Sequence, residues 1–444
     1  MSGCRGDMRY AMSVVLAIVL VEAASAGLAP PWELDPNGFV RLDPNALSWD
    51  WASRLDEETY RQDGAEIVPW TQETALPSPD NAALLYYQAF LLRPEPDDAA
   101  NLKLNDILRD GLPDTSIRVY LGRCREMIHT VETASLVSQC TWGIRHLDSS
   151  SFSEAALLGE LRQVACVLAV DARTLAVDGH YDAAFARCLT LRRMARHAGD
   201  ETVLMLLVSQ ALDALAQRAA QYALGVMPPN TETLQALRGQ LGAAPGAIQS
   251  IEKTLQSDLE TILASLRRRP DSLDYIRQQL AQNAPDESTR QIALSLTDDE
   301  VLARAKAPSS LFLNSIFRIL DSDMLYEQKY AGIEAQKREF VAEYGGDPAG
   351  GMVLLASSTS IVRFYGLSVR HTAAYSALKT AIEIYLAYAE AGRLPEALPA
   401  CVAKDPYSGQ DFEYEITATG FILRCRAQDF DEKRTIQYEF TVHR

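Results

Sequence analysis

Residues 151–199 read SFSEAALLGELRQVACVLAVDARTLAVDGHYDAAFARCLTLRRMARHAG, and this stretch decides the fold class. Ser151-Phe152-Ser153-Glu154 has the S-x-x-E form of a capping box, in which a hydroxyl and a carboxylate satisfy each other's backbone N–H groups. Behind it, Leu157, Leu161, Val164, Leu168, Ala172 and Leu175 recur every three or four residues and predict one apolar stripe on a helix. Gly179 interrupts that period. From Tyr181 a second stripe, Ala184, Cys188, Leu191 and Ala195, runs to Gly199. The expectation is a helical hairpin, and the same period recurs along most of the chain.

Outward from this hairpin the pattern stays helical. Ser78-Pro79-Asp80-Asn81 supplies cap and first-turn chemistry for a helix through Leu84, Leu85, Tyr87 and Leu91 that stops before Pro94. Val203 to Leu224 is apolar on nearly all sides until Asp213 and Gln217, which predicts a central buried helix ended by Pro228-Pro229. Ile248, Ile251, Leu255, Leu259, Ile262 and Leu266 form another stripe. It ends at Arg267-Arg268-Arg269 before Pro270, where cations complement the helix dipole. Gly345-Gly346-Asp347-Pro348-Ala349-Gly350-Gly351 reads as a loop or hinge. A long helix is expected from about Ser358 to Ala391, stopped by Gly392 and Pro395.

The last forty residues change period from helical to alternating. Phe412, Tyr414 and Ile416 alternate with Asp411, Glu413 and Glu415; Thr419-Gly420 turns into Phe421, Leu423 and Cys425; Ile436, Tyr438, Phe440 and Val442 alternate again. The expectation is a three-stranded antiparallel meander after a turn at Asp405-Pro406-Tyr407-Ser408-Gly409. The fold class is therefore mainly α, packed helical hairpins with a small C-terminal antiparallel β-meander. The expected parts are a signal peptide over 1–26, a Trp/Pro-rich arm over 27–78, a helical body over 79–344, and the long helix plus meander over 352–444.

The N-terminal reading rests on Arg5 and Arg9, the apolar run Ala11–Val21 and the small-x-small end Ala24-Ser25-Ala26 before Gly27, the three parts of a secretory signal. The run is too short to span a bilayer and Glu22 closes it, so cleavage after Ala26 and export to the periplasm or exterior are expected, with no stable membrane span left afterwards. Residues 27–78 carry Trp32, Trp49, Trp51 and Trp70 with no sustained period. They are expected to be an extended arm whose tryptophans anchor against the body, with sugar or partner binding as the other use of such residues.

The net charge of −17 over 444 residues repels phosphate backbones, so nucleic acid is not an expected partner. Cys124, Cys140, Cys166, Cys188, Cys401 and Cys425 form no Cys-x-x-Cys pair and no metal spacing. In an exported chain Cys166 with Cys188, and Cys401 with Cys425, are possible bridges, the other reading being small buried hydrophobes. The histidines His129, His146, His180, His197, His371 and His443 include no i, i+4 pair, and no metal or cofactor is expected.

Three side-chain groups could carry chemistry. Ser376-Ala377-Leu378-Lys379 fits the S-x-x-K pattern of penicillin-recognising serine enzymes, without the S-x-N and K-T-G elements that those enzymes also need. Asp321, Asp323 and Glu327, expected to cluster on a helix near Tyr326, form either a hard-cation cluster or a solvated acidic face. Thr297-Asp298-Asp299-Glu300 reads as a helix cap with acids in the first turn.

Two stretches resemble known families. Gly179-His180-Tyr181-Asp182-Ala183-Ala184-Phe185, within 158–198, resembles the turn and second-helix start of a tetratricopeptide hairpin, which implies that Tyr181 and Ala184 pack the two helices together. Only one copy is found, and one hairpin does not make a solenoid. Leu394-Pro395-Glu396-Ala397-Leu398, Asp405-Pro406-Tyr407-Ser408-Gly409 and Phe412-Glu413-Tyr414, within 365–428, resemble the C-terminal helix-plus-meander of pseudopilins. The N-terminus lacks the prepilin cleavage pattern, so a borrowed structural module is implied rather than a fibre subunit. The functional expectation is an exported, non-catalytic scaffold or interaction protein with a protein or envelope-polymer partner. The alternative is an envelope-polymer hydrolase using Asp321 and Asp323 as acid and base.

Overall fold

The computed structural model describes residues 32–34, 40–42, 80–109, 111–142, 151–199, 202–242, 247–267, 270–344, 347, 349–350, 361–400 and 402–443. The expected signal peptide lies outside them. Within 1–76, one of two units into which the chain divides, the described part is a ribbon of β1 (Trp32–Leu34) and β2 (Val40–Leu42), paired antiparallel with Trp32 opposite Leu42. This is local order in a stretch where the sequence predicts an irregular arm. The anchoring expected of the arm's tryptophans lies outside the described residues.

The second unit, Pro77–Arg444, is mostly helical. Its first helices are α1 (Ala82–Leu92), α2 (Asp98–Ile107), α3 (Thr115–Arg123) and α4 (Arg125–Leu136). Asn81 caps α1, its side chain accepting from the Ala83 N–H, and α1 ends before Pro94. Then come α5 (Ser151–Val177), α6 (Tyr181–Ala198) and α7 (Val203–Val226), the centre of the unit.

The predicted stripe on α5 is the packed one: Leu157, Leu161, Val164, Leu168 and Ala172 are buried. The break is a Schellman turn. The His180 N–H donates to the Leu175 carbonyl and the Gly179 N–H to that of Ala176, with Gly179 at φ +82°. Only a residue without Cβ takes that backbone cheaply, so the glycine sets where the hairpin turns. Tyr181 is half-buried, and its hydroxyl points to the Val226 carbonyl at the end of α7, 3.4 Å away.

The central helices join two apolar cores. One holds α1–α4 and the first part of α5, together with Leu191, Met194, Leu212 and Ala216. The other begins at Ala172 and includes Ala184, Cys188, Ala220 and Leu224, then the rest of the helices and the meander. Among the described residues α7 is the one helix long and apolar enough to cross a membrane. Here it packs against α5 and α6, and of its polar residues Asp213 and Gln217 are buried, 4% and 8% exposed, while Arg218 is exposed. Those two residues break the apolar pattern without marking a wet face.

Beyond α7 lie α8 (Thr231–Leu241), α9 (Ala247–Arg267), α10 (Pro270–Gln282), α11 (Glu287–Ser295), α12 (Asp298–Leu320), α13 (Tyr326–Tyr344) and α14 (Ile361–Ala391). Ile251, Leu255 and Leu259 of α9 are buried, as its stripe predicts. Arg267, in the last turn, pairs with Asp299 at 2.5 Å. Thr297 and Glu300 form a complete capping box for α12. Most of the Gly345–Gly351 stretch lies outside the described residues; within it the Asp347 carboxylate accepts from the Gly350 N–H at 3.0 Å.

The chain closes in the expected meander: β3 (Glu413–Ile416), β4 (Gly420–Asp429) and β5 (Arg434–Thr441), antiparallel in that order. Phe421, Leu423, Cys425 and Phe440 form its buried face, with Phe421 stacked on Phe440. Ile416, expected on the half-buried side of β3, is 47% exposed, because the first strand sits at the sheet edge.

Cys166, Cys188 and Cys425 are free thiols, so no Cys166–Cys188 bridge forms. Cys166 lies off the Leu161–Val164–Leu168 stripe, whereas Cys188 is inside the core, where burial pushes its thiol up to about 12. Cys401 lies outside the described residues. The Cys425 thiol is engaged with the Asp405 carboxylate, and burial raises it well above the usual thiol range.

Candidate functional site

Polar side chains converge at two places in the second unit, and both are buried where long-range elements meet. The first is between α6, α7 and α14. The Asp213 carboxylate accepts from His371 Nε2 at 2.7 Å and from Gln217 Nε2 at 2.7 Å. Arg192 Nε stands 3.7 Å away, and its guanidinium lies over the Tyr375 ring, 3.8 Å from the centroid. The Tyr375 hydroxyl donates to the carbonyls of Leu241 (2.6 Å) and Gly242 (3.2 Å), tying the end of α8 to the same group. Burial alone would push Asp213 up. The His371 hydrogen bond and charge, Arg192 and the Gln217 amide reverse that and hold it below the usual carboxylate range.

The second cluster pins the meander to the helices. Asp429, at the end of β4, is fully buried. It accepts from Arg370 Nε of α14 at 2.9 Å and from the Tyr407 hydroxyl at 2.8 Å. Its other oxygen takes the Asp431 and Glu432 N–H groups, at 2.9 and 3.1 Å. Asp431 accepts from the Tyr330 hydroxyl of α13 at 2.9 Å and lies against Gly366 of α14. A Cβ on Gly366 would stand 2.1 Å from the Asp431 carboxylate, so the loop docks where α14 has no side chain. Tyr326 stacks on Phe430 and meets Tyr407 edge-on, with centroids 4.7 Å apart.

The two aspartates of this cluster differ. Burial would raise both, but Arg370, Tyr407 and the Glu432 N–H bring Asp429 below its ordinary range. Asp431 stays raised by burial, and by the negative Asp429, despite the Tyr330 hydrogen bond. The signs follow by linkage. The contribution of Asp429 and Asp213 is present above the unfolded value near 3.8 and is lost as pH falls through their lower folded values. That of Asp431 runs the other way, favouring the fold below 3.8 and fading as pH rises through its folded value. Replacing Asp429 by Asn should therefore flatten the loss of stability between about pH 5 and pH 2, measured by urea midpoints at each pH. An unchanged acid slope would contradict this account.

The residues singled out from the sequence are placed elsewhere. The three acids do not share one helix as expected: Asp321 ends α12, Asp323 lies in the α12–α13 turn, Glu327 opens α13, and all three are exposed. Lys329 sits beside this turn and donates to the Leu320 carbonyl at 2.6 Å. Among the described residues no group of three or more His, Cys, Asp or Glu could hold a metal ion. Ser376 is buried in α14, while the Lys379 ammonium donates to the Gly242 carbonyl at 3.2 Å. Lys379 thus serves the C-terminus of α8. A wide groove of about 550 Å³ lies along α10 and α11, lined by Ala281, Asp286, Glu287, Arg290 and Leu294 among others. Its two acids are held below their ordinary range, Asp286 by the Thr289 N–H it caps and Glu287 by Gln291 and Arg290.

Sequence reading named Asp213, Gln217, His371 and Tyr407 separately but assembled neither group, Asp213–Gln217–Arg192–His371 or Arg370–Tyr407–Asp429. One signal was present. Asp213 and Gln217 stand four apart in an apolar helix, so they share a face and imply a common buried partner.

A third feature is a surface. On α1, Leu84, Tyr87 and Leu91 are 45%, 41% and 89% exposed at i, i+3, i+7 spacing; the Tyr87 ring also meets Trp142 edge-on, 5.8 Å between centroids, and its hydroxyl donates to the Trp142 carbonyl at 3.4 Å. The opposite side of the helix, Ala82, Tyr86 and Ala89, is buried. Compared with known proteins, the chain matches no family model, no curated protein and no solved structure.

Proposed function

We propose that this chain is an exported, non-catalytic scaffold or protein-interaction protein of the envelope or exterior. The observation that carries the reading is the exposed face of α1, where Leu84 and Leu91 point outward on either side of Tyr87, which rests against Trp142, while the other side of the helix is already packed. Three anchors at this spacing are what a partner's apolar groove takes from a helix. The buried clusters around Asp213 and Asp429 join helices and sheet, which suits a rigid scaffold.

Two structural parts belong to this reading. The α5–α6 pair serves as a tetratricopeptide-like hairpin; its glycine turn and the buried Ala184 support that. The C-terminal helix and meander serve as a pilin-like module. The Tyr414 hydroxyl, donating to the Pro395 carbonyl at 3.0 Å, links two of the three segments that carry the resemblance. Export rests on the Arg5–Ala26 pattern.

The test has two arms in the native cell. Mass spectrometry should find Gly27 at the N-terminus; an intact Met1 form in the membrane fraction would overturn export. A photo-crosslinking residue at the exposed Gln88 position should give one discrete adduct that Leu84→Asp with Leu91→Asp abolishes, the fold being kept because both leucines are exposed. Absence of an adduct, or one indifferent to the double substitution, would overturn the interaction surface.

A further inference from the structure

A small cavity of about 10 Å³ lies beside the Asp213 cluster, between α6, α7, α8 and α14. Its walls are apolar at Ala216, Ala220, Leu237 and Leu378 and polar at Arg192, Asp213 and Gln217. The orientation of the Gln217 amide is determined, since Nε2 donates to Asp213 at 2.7 Å and a flipped amide would set oxygen against carboxylate. Oε1 is then left buried without a donor from the protein, on a residue only 8% exposed. Buried acceptors in folded proteins are almost always satisfied, by the protein or by an ordered small molecule.

We infer that the polar end of this cavity binds one neutral hydrogen-bond donor of the size of water, which donates to Gln217 Oε1. The volume admits roughly one such molecule. The Arg192 guanidinium in the same wall makes the site unfavourable for a cation such as ammonium, and the adjoining Asp213 carboxylate makes it unfavourable for an anion. A water molecule meets both conditions and extends the hydrogen-bonded group that links α6, α7 and α14. This site is independent of the α1 surface and of export.

Protein labelled with ¹⁵N at glutamine side chains tests the inference by water-selective cross-relaxation. The Gln217 amide, assigned by its loss in Gln217→Leu, should show a contact to a long-lived water. Ala220→Leu, which fills the cavity, should remove that contact while the far-ultraviolet dichroism is unchanged. No contact in the wild type, or the same contact in folded Ala220→Leu, would overturn the site. Dependence on added ammonium would overturn the neutral donor. Should Ala220→Leu fail to fold, a high-resolution crystal structure of the wild type decides. A density peak at hydrogen-bonding distance from Gln217 Oε1 supports the inference, and a protein donor in that place defeats it.

Discussion

Arg370→Met is expected to lower the unfolding free energy by about 3–5 kcal/mol, because it leaves a fully buried carboxylate without its counter-charge. Asp429 would keep the Tyr407 hydroxyl and two backbone N–H groups, which are too few to solvate a charge in the core. Arg370 also stands 3.4 Å from Glu432 and 4.0 Å from Asp431, so its loss leaves three acids together. Adding Asp429→Asn should recover much of the loss, since the amide carries no charge to strand. Urea unfolding of the two variants measures both effects. A loss below about 1 kcal/mol for Arg370→Met would show that the meander is held by its apolar face alone.

Asp213→Leu should cost a similar amount, about 3–5 kcal/mol, through the opposite charge. Arg192 and His371, with side chains 7% and 8% exposed, would face each other without the carboxylate between them, and the Gln217 amide would lose its acceptor. Asp213→Asn should cost less, because an amide oxygen still accepts from one of these donors. The order Leu worse than Asn is the diagnostic result in thermal or urea unfolding. Equal losses would mean that only side-chain volume matters at this position. Both predictions concern residues joined across the chain: His371 lies 158 positions from Asp213, and Asp429 lies 59 from Arg370.

That separation explains what was legible. The α5–α6 hairpin could be read because its causes are local: apolar residues at helical spacing, a glycine that accepts positive φ, and a stripe that any packed neighbour must cover. The meander was legible for the same reason, with alternation over three short runs and turn residues between them. The acid cluster Asp321–Asp323–Glu327 was visible as charge, but charge in a sequence does not tell a wet turn from a site; exposure does, and these residues are exposed. Ser376 and Lys379 share a helix face by spacing alone, and packing gave Lys379 to the end of α8.

Local periodicity therefore determined, without any structure, that the chain is mainly helical with a terminal β-meander, and roughly where α1, α5, α6, α7, α9, α14 and the three meander strands begin and end. Tertiary packing decided the rest. It buried Asp213 and Gln217 inside a helix whose pattern they interrupt, joined Asp429 to Arg370, and left Leu84, Tyr87 and Leu91 outside. The reason is the range of the forces. Helix and strand periods depend on neighbours a few residues away, whereas the cost of burying a charge depends on which distant group arrives to neutralise it.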